Sequence, residues 1–273
     1  GTRLIIGPWA HAKDVMLPDA YRSIPYRRES IALSIPWFDH QLNISKNPLD
    51  MSRVKIFVMG ENRWRDENEW PLARTQYTSF FLHSNGAANS LDGDGILDQS
   101  VPLGEETSDA YVYDPLNPVP SAGGAMLGER AGVQRQNTIE SRFDVLVYTT
   151  SILAAPVEAT GPVKAILYVS TDVASTDFTA KLVDVHPDGS AYNVCDGILR
   201  RDYTNIQNSA SKPVKIDIAL WPTSHLFKKG HRIRLEISSS NFPRYDRNTN
   251  TGAFAPTASE TIMAKQTIFH NAQ

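Results

Sequence analysis

The sequence predicts a mainly β protein, in which a β-sandwich follows a short α/β segment. From about Thr75 onward, apolar residues recur at every second position, as in Val214–Ile218 and Arg232–Ile237, and this is the period of half-buried strands. Turn-forming pairs such as Asp188-Gly189 separate these runs. Many short strands joined by long loops favour a sandwich of the jelly-roll type.

The first 60 residues follow a different pattern. Leu4–Ile6 and Val54–Met59 are almost continuously apolar, which is typical of strands buried on both faces. Between them, residues 29–42 carry apolar residues at roughly helical spacing, and Pro36 predicts that the helix begins or kinks there. A strand–helix–strand unit of this size indicates the tail end of a parallel α/β sheet.

The remaining strands and the domain boundary follow from the same patterns. The charged stretch 60–71 lies where the period changes, and we predict that it is a linker. We therefore expect two domains: residues 1–72 as the end of an α/β domain, and residues 73–273 as the jelly-roll sandwich. Within the second domain, further strands are predicted at Thr78–His83, Val145–Thr149, Val163–Ser170, Phe178–Val185 and Ala264–Phe269.

Composition excludes several classes of function. Lys and Arg number 27 against 30 Asp and Glu, so no basic surplus exists to neutralise phosphates, and we expect no nucleic-acid partner. No apolar run reaches the ~20 residues of a membrane-spanning helix, so no membrane contact is expected either. The single cysteine, Cys195, excludes an internal disulfide and predicts a small buried side chain. We expect a cytoplasmic location, unless a signal peptide lies upstream.

Among the seven histidines, His11 is the candidate catalytic residue. It stands in GPWAHA, residues 7–12, just past the carboxyl end of a predicted buried strand. Open α/β sheets place reacting groups at that end, and a loop imidazole has a pKa suited to a general base. The other histidines lack metal-ligand spacing and are predicted to be structural, as are Asp177 and Asp184 on strand surfaces or turns. The Asp92–Asp98 loop lacks the final glutamate of a calcium loop, so no metal is expected.

Several longer segments carry a resemblance to a known family. They are GPWAHA (7–12), WFDHQL (37–42), VKIFVMGENRWRDENEWP (54–71), YVYDPLNPVPSAGG (111–124), TDFTAKLVDVHPDG (176–189), DGILR (196–200) and HRIRLEISSSNFPRYDRNTNTG (231–252). In these segments the chain resembles the bacterial cocaine-esterase-like hydrolases, the CocE/NonD family, which are related to α-amino-acid ester hydrolases and X-prolyl dipeptidyl peptidases.

The resemblance implies an α/β-hydrolase domain with a helical cap, followed by a C-terminal jelly roll. It also implies cleavage of small esters or amides by a Ser-His-Asp triad, without a cofactor. The catalytic histidine of the family lies in the GPW-x-H motif, and this position corresponds to His11.

The chain departs from the family at the nucleophile. In α/β hydrolases the triad order is Ser, Asp, His, but the residues before His11 include neither a serine nor a carboxylate. No G-x-S-x-G nucleophile motif occurs anywhere in the sequence. We therefore expect this chain to be the C-terminal part of the enzyme. Its expected partner is the missing N-terminal hydrolase portion or a second copy of the chain.

Two interpretations stay open. Trp9, in the histidine motif, and Met126 and Leu127, which follow a Pro-rich and Gly-rich loop, are candidates for substrate contact, although a plain surface loop fits the latter pair equally well. The alternative to a hydrolase segment is a non-catalytic jelly-roll module for binding or oligomerisation, because jelly rolls serve both purposes.

Overall fold

The protein is mainly β, as predicted. The computed structural model describes residues 1–11, 13–19, 23–202, 213–253 and 258–270. Within these ranges the elements are β1 (Leu4–Ile6), α1 (Tyr26–Gln41), β2 (Val54–Val58), β3 (Arg63–Glu67), β4 (Phe81–His83), β5 (Ile96–Asp98), β6 (Asp109–Tyr113), α2 (Asn137–Glu140), β7 (Leu146–Thr149), β8 (Val157–Gly161), β9 (Lys164–Thr171), β10 (Ser175–Val185), β11 (Ala191–Asp202), β12 (Val214–Ala219), β13 (Thr223–Phe227), β14 (Arg232–Ser238) and β15 (Ala264–Phe269). Neither helix combines the length and apolar character needed to span a bilayer within these described ranges.

Two sheets enclose the main hydrophobic core. One has the strand order β11-β10-β14-β7-β5-β4, and the other has the order β12-β9-β15-β6. Apolar side chains from both sheets are buried together, because alternate residues of each strand point inward. The largest of them include Leu146, Tyr148, Phe178 and Ile237 from the first sheet, and Tyr113, Ile218 and Ile268 from the second. This arrangement is a β-sandwich.

The N-terminal residues form the predicted strand–helix–strand unit. β1 pairs with β2 in parallel, and α1 lies between them in the chain. β3 then adds to β2 as an antiparallel strand. The expectation that both apolar strands are buried is wrong for β1, because it lies at the sheet edge and leaves Leu4 40% exposed. β2, the central strand, is largely buried.

The helix does not begin at Pro36, which was one of the two predicted alternatives. α1 starts ten residues before the proline and continues through it to Gln41. Its first turn is stabilised from outside the helix, because the Tyr26 N–H donates to Asp14 Oδ1 at 2.7 Å. No residue of α1 is buried, and its exposed apolar side chains include Ile31, Ile35 and Phe38.

The predicted linker contains a strand. β3 occupies the middle of residues 60–71, and its charged side chains form ion pairs. Arg65 donates two hydrogen bonds of 2.8 Å to Glu158 on β8 and one of 2.7 Å to Glu67. A bidentate pair of this kind fixes geometry, so β3 ties the N-terminal unit to the sandwich.

The end of β2 also joins the N-terminal unit to the sandwich. The Met59 N–H donates to the Ser224 carbonyl at 3.0 Å, and the Leu226 N–H donates to the Met59 carbonyl at 2.8 Å. Backbone hydrogen bonds therefore run from β2 to β13, which itself pairs with β8. We call this junction the β2–β13 seam.

Candidate functional site

His11 lies on an exposed turn five residues after the end of β1. The turn is closed by a backbone bridge between Ala10 and Lys13, with the Lys13 N–H donating to the Ala10 carbonyl at 3.4 Å. The imidazole therefore stands at the carboxyl end of a strand in a parallel pair, as the sequence predicts. An exposed imidazole can accept a proton from a group that approaches from outside this chain.

Trp9 packs beneath the His11 turn in an aromatic cluster. Its ring centroid lies 5.6 Å from that of Tyr26, edge to face, and 5.6 Å from that of Trp64. Trp64 in turn packs edge to face on Phe57 of β2 at 5.3 Å. These contacts give Trp9 a structural role in holding the turn against the three-stranded sheet. Its contact with a substrate stays a prediction.

The loop that carries Met126 and Leu127 lies beside the segment after His11. Backbone hydrogen bonds of 2.7 and 3.0 Å between Gly124 and Gly132 close this loop at its base. Glu129, on the same loop, accepts a 2.9 Å hydrogen bond from Lys13. Met126 is half-buried and Leu127 is exposed. The sequence-predicted residues are thus carried by two neighbouring segments, and whether Met126 and Leu127 touch a substrate stays a prediction.

Sequence reasoning missed a buried carboxylate that binds two histidines. Asp184 on β10 is only 2% exposed, and its two oxygens lie 2.9 Å from His225 Nε2 and 2.9 Å from His231 Nδ1. Burial raises the Asp184 pKa, but the hydrogen bonds and charge interactions of the two histidines outweigh it, so the pKa lies below its ordinary value. The prediction of a strand-surface or turn position for Asp184 is therefore wrong.

Asp177 is a second carboxylate whose predicted surface position is wrong. It is 1% exposed and receives hydrogen bonds from Arg200 at 2.8 and 2.9 Å. This bidentate contact crosses from β11 to β10, because register places the two residues directly opposite each other. The alternating pattern of β10 could not reveal it, since every residue of that strand is buried.

Other histidines also have carboxylate partners. His83 Nδ1 lies 2.8 Å from Glu106 Oε1, and His270 Nε2 lies 2.9 Å from Asp109 Oδ2. Tyr148 donates a 2.6 Å hydrogen bond to the same Asp109 oxygen. These interactions give the two histidines structural roles, as predicted. Cys195 is buried too, and burial raises the pKa of its thiol, so it behaves as the small apolar side chain that the sequence predicts.

One group among the described residues has metal-ligating side chains close together. The ligand atoms of Asp19, His186 and His231 lie within 4.8 Å of one another. The sequence did not predict this group, since its members come from three distant segments.

Comparisons with known proteins assign this chain to a family. The domain family described as the X-Pro dipeptidyl-peptidase C-terminal non-catalytic domain matches residues 49–273. The chain belongs to this family. His11 lies outside the matched residues, whereas the sandwich lies within them.

Individual relatives agree with the assignment. The chain is 43% identical to the cocaine esterase of Rhodococcus sp. (strain MB1 Bresler) over 92% of its own length and 46% of the esterase. An aminopeptidase from a marine sediment Thaumarchaeota archaeon matches 98% of this chain and 47% of that structure, with 27% identity and a TM-score of 0.79. An α-amino acid ester hydrolase matches 98% of this chain and 48% of that structure, with 25% identity and a TM-score of 0.79.

These comparisons confirm the resemblance to cocaine-esterase-like hydrolases. The chain spans about half the length of the relatives it matches.

Proposed function

We propose that this chain is the C-terminal part of a serine hydrolase that cleaves small esters or amides. In this proposal His11 is the catalytic histidine, residues 1–72 complete an α/β-hydrolase domain, and residues 73–273 form its jelly-roll domain. The observation that carries the proposal is the position of His11, exposed on the turn after β1, in a chain that is 43% identical to a cocaine esterase.

The chemistry assigned to His11 is proton transfer in both directions. His11 accepts the proton of a serine hydroxyl as the serine oxygen attacks the acyl carbon, and then delivers it to the leaving alcohol or amine. It next takes a proton from water, which attacks the acyl-serine, and returns that proton to the serine. The serine, the orienting aspartate and the oxyanion-hole donors come from the upstream portion in this proposal. No step needs a cofactor.

The substrate-facing surface would include the loop of Met126 and Leu127. Support comes from the hydrogen bond between Lys13 and Glu129, which holds this loop next to the His11 segment. An apolar side chain such as Leu127, 70% exposed here, gains stabilisation when a substrate or a neighbouring domain covers it. Trp9 would support the turn from below through its contacts with Trp64 and Tyr26.

A chimeric enzyme tests the role of His11. The part of the Rhodococcus cocaine esterase that the match leaves uncovered is joined to this chain, and hydrolysis of a p-nitrophenyl ester is measured. We expect His11→Ala to lower kcat by a factor on the order of 10⁴ or more while the fold is retained, because members of a triad act as a unit.

The matched control is His40→Ala, which removes another imidazole from the same N-terminal unit. We expect it to leave kcat within about twofold, since a surface substitution rarely shifts stability or geometry. Equal losses in the two variants, or an active His11→Ala variant, would contradict the assignment. His231→Ala is not a suitable control, because the His231 side chain is buried and hydrogen-bonded to Asp184. A loss of activity in that variant would not distinguish a catalytic effect from a structural one.

The alternative function is a non-catalytic jelly-roll module for binding or oligomerisation. One observation favours it: the family that matches residues 49–273 is described as non-catalytic. The two proposals differ only in whether residues 1–48 carry a catalytic group. An ester-cleaving chimera that tolerates the loss of His11 would favour the alternative.

A further inference from the structure

Asp19, His186 and His231 come together at the junction of the N-terminal unit and the sandwich. Asp19 lies in the chain between the His11 turn and α1, His186 directly follows β10, and His231 directly precedes β14. Their ligand atoms lie within 4.8 Å of one another. Exposure falls from Asp19, whose side chain is 45% exposed, through His186 at 13% to His231 at 7%. The group is therefore closed on the sandwich side and open towards solvent at Asp19.

The buried carboxylate of Asp184 orients one of these imidazoles. It lies 2.9 Å from His231 Nδ1, so the neutral ring carries its proton on that nitrogen and leaves the Nε2 lone pair free. A histidine whose second nitrogen is held by a carboxylate is the usual arrangement around a protein-bound metal. The other Asp184 oxygen is bound by His225, so Asp184 itself is satisfied within the protein.

The second imidazole is also suited to ligation. Burial, as the largest effect, lowers the pKa of His186 below its ordinary value; the charge of Asp184 acts in the opposite direction, as do those of Asp19 and Asp188, but does not outweigh it. A neutral imidazole has a lone pair to donate, whereas a protonated one has none.

A cavity that these side chains help to line has room for one small species. A cavity of about 20 Å³ is lined by the three ligand residues together with Asn62, Tyr192 and Lys228. This volume is enough for a single water molecule or a bare ion.

The ammonium group of Lys228 competes with a metal ion for the Asp19 carboxylate. Its ammonium lies 2.9 Å from Asp19 Oδ2, and this hydrogen bond is the main cause of a lowered Asp19 pKa. The carboxylate has a second oxygen, and the Lys228 side chain is 38% exposed and can turn outward. A divalent cation would therefore replace or share the contact that the ammonium now makes.

We propose that Asp19, His186 and His231 form a binding site for a divalent first-row transition-metal ion such as zinc. Two imidazole nitrogens and one carboxylate oxygen suit zinc, whereas calcium and magnesium prefer all-oxygen sites. The bound ion would fasten the segment that carries His11 to the sandwich, because Asp19 belongs to that segment and the two histidines belong to the sandwich. The site does not depend on the proposed hydrolase activity.

Metal binding by the purified, tag-free chain tests the proposal. Cobalt is titrated at pH 7.5 and followed by its visible absorption, and zinc is titrated against bound cobalt. We expect saturable binding of one ion per chain. Asp19→Asn and His186→Ala should each weaken binding by at least about 10- to 100-fold, the size of effect known even for residues that only support metal ligands.

Two further variants make the test specific. Lys228→Gln removes the competing ammonium, and we expect it to tighten metal binding. His40→Ala removes a histidine from outside the site, and we expect no change. Circular dichroism melting without metal verifies that each variant is folded, and zinc should raise the melting temperature of the wild type but not of His186→Ala.

Any one of three results would contradict the proposed metal site. The wild type could show no saturable binding, both Asp19→Asn and His186→Ala could retain binding, or Lys228→Gln could bind metal more weakly. Equal losses in His40→Ala and His186→Ala would show adventitious binding to scattered histidines.

Discussion

His83 is held between two acceptors at the edge of the sandwich. Its Nδ1 lies 2.8 Å from Glu106 Oε1, and its Nε2 lies 3.0 Å from the Ser100 carbonyl oxygen. Burial lowers the His83 pKa, but the hydrogen bonds and the charge of Glu106 outweigh it, so that the pKa lies above its ordinary value. A histidine whose pKa is raised by folding stabilises the protein below about pH 6.5, and this contribution disappears as the pH rises through the folded-state pKa.

Replacement of Glu106 by Gln should therefore destabilise the protein in a pH-dependent way. We expect Glu106→Gln to lower the free energy of unfolding by about 1 kcal/mol at pH 6 and by much less at pH 9, because only the protonated imidazole gains from the carboxylate charge. Urea unfolding at both pH values measures the difference. Glu105→Gln, the exposed neighbour, is the matched control and should have little effect at either pH. A loss that grows with pH would contradict the raised pKa.

At the residue scale, the sequence could single out a candidate catalytic histidine but not the partners of the other histidines. His11 stands in a contiguous motif that can be read along the chain. Asp184 meets His225 and His231 only because β10 and β14 pair antiparallel and β13 lies nearby. Such contacts depend on strand register between distant segments, and a single sequence does not encode that register in any local pattern.

Gly60 makes the β2–β13 seam possible at the scale of elements. It lies two residues after the end of β2, with a φ of +80°, and a Cβ at this position would overlap the carbonyl oxygen of Leu226. Leu226 belongs to β13 and shares a backbone hydrogen bond with Met59. The glycine therefore has two functions: it accepts a left-handed conformation, and it lets two backbones approach closely.

Two glycine substitutions separate these effects. Gly189 has nearly the same φ, +82°, but no atom lies within 4 Å of its Cβ position. We expect Gly189→Ala to cost about 1 kcal/mol of unfolding free energy, the cost of the left-handed conformation alone. Gly60→Ala should cost about 1–3 kcal/mol more, because the added methyl pushes β13 away from β2. Chemical denaturation of both variants provides the measurement, and equal losses would show that the seam tolerates the methyl.

The predicted bounds of an element are correct where its hydrophobic pattern agrees with its burial in the fold. β1 and β15 have the predicted bounds, since each is a short apolar or alternating run. β3 was missed because its charged residues resemble a linker, although Arg65 and its partners neutralise those charges within the fold. A start of α1 at Pro36 was one predicted alternative because proline usually interrupts a helix, whereas here the helix begins at Tyr26 and includes the proline.

At the scale of the whole molecule, the N-terminal unit contributes a single candidate triad member. We therefore expect the isolated chain to hydrolyse p-nitrophenyl esters no faster than buffer, because a base without a nucleophile and an oxyanion hole retains almost no catalytic power. The same chain joined to the uncovered part of the Rhodococcus esterase should be active. Turnover by the isolated chain that a serine-directed inhibitor abolishes would show that the nucleophile lies within residues 1–273.

The exposed side of α1 carries a stripe of apolar side chains. Four apolar residues at helical spacing form one stripe along it, and each is more than half exposed: Ile31, Ile35, Phe38 and Leu42. A continuous apolar stripe of this kind on a protein surface is typical of a contact with another protein. In the proposed enzyme this contact is the upstream hydrolase portion. When that portion is absent, we expect a second copy of the chain to cover the stripe.

We therefore expect the isolated chain to associate, and light scattering after size exclusion should give a mass above the 30.3 kDa of one chain. The double variant Ile35→Ser/Phe38→Ser should restore the monomer, because it interrupts the stripe at its centre. The control Leu103→Ser/Phe143→Ser removes two exposed apolar residues of the sandwich and should leave association unchanged. Fusion to the esterase portion should abolish association without any substitution, since the same stripe is then covered within one polypeptide. A monomeric isolated chain, or association lost only in the control, would show that the stripe has no partner.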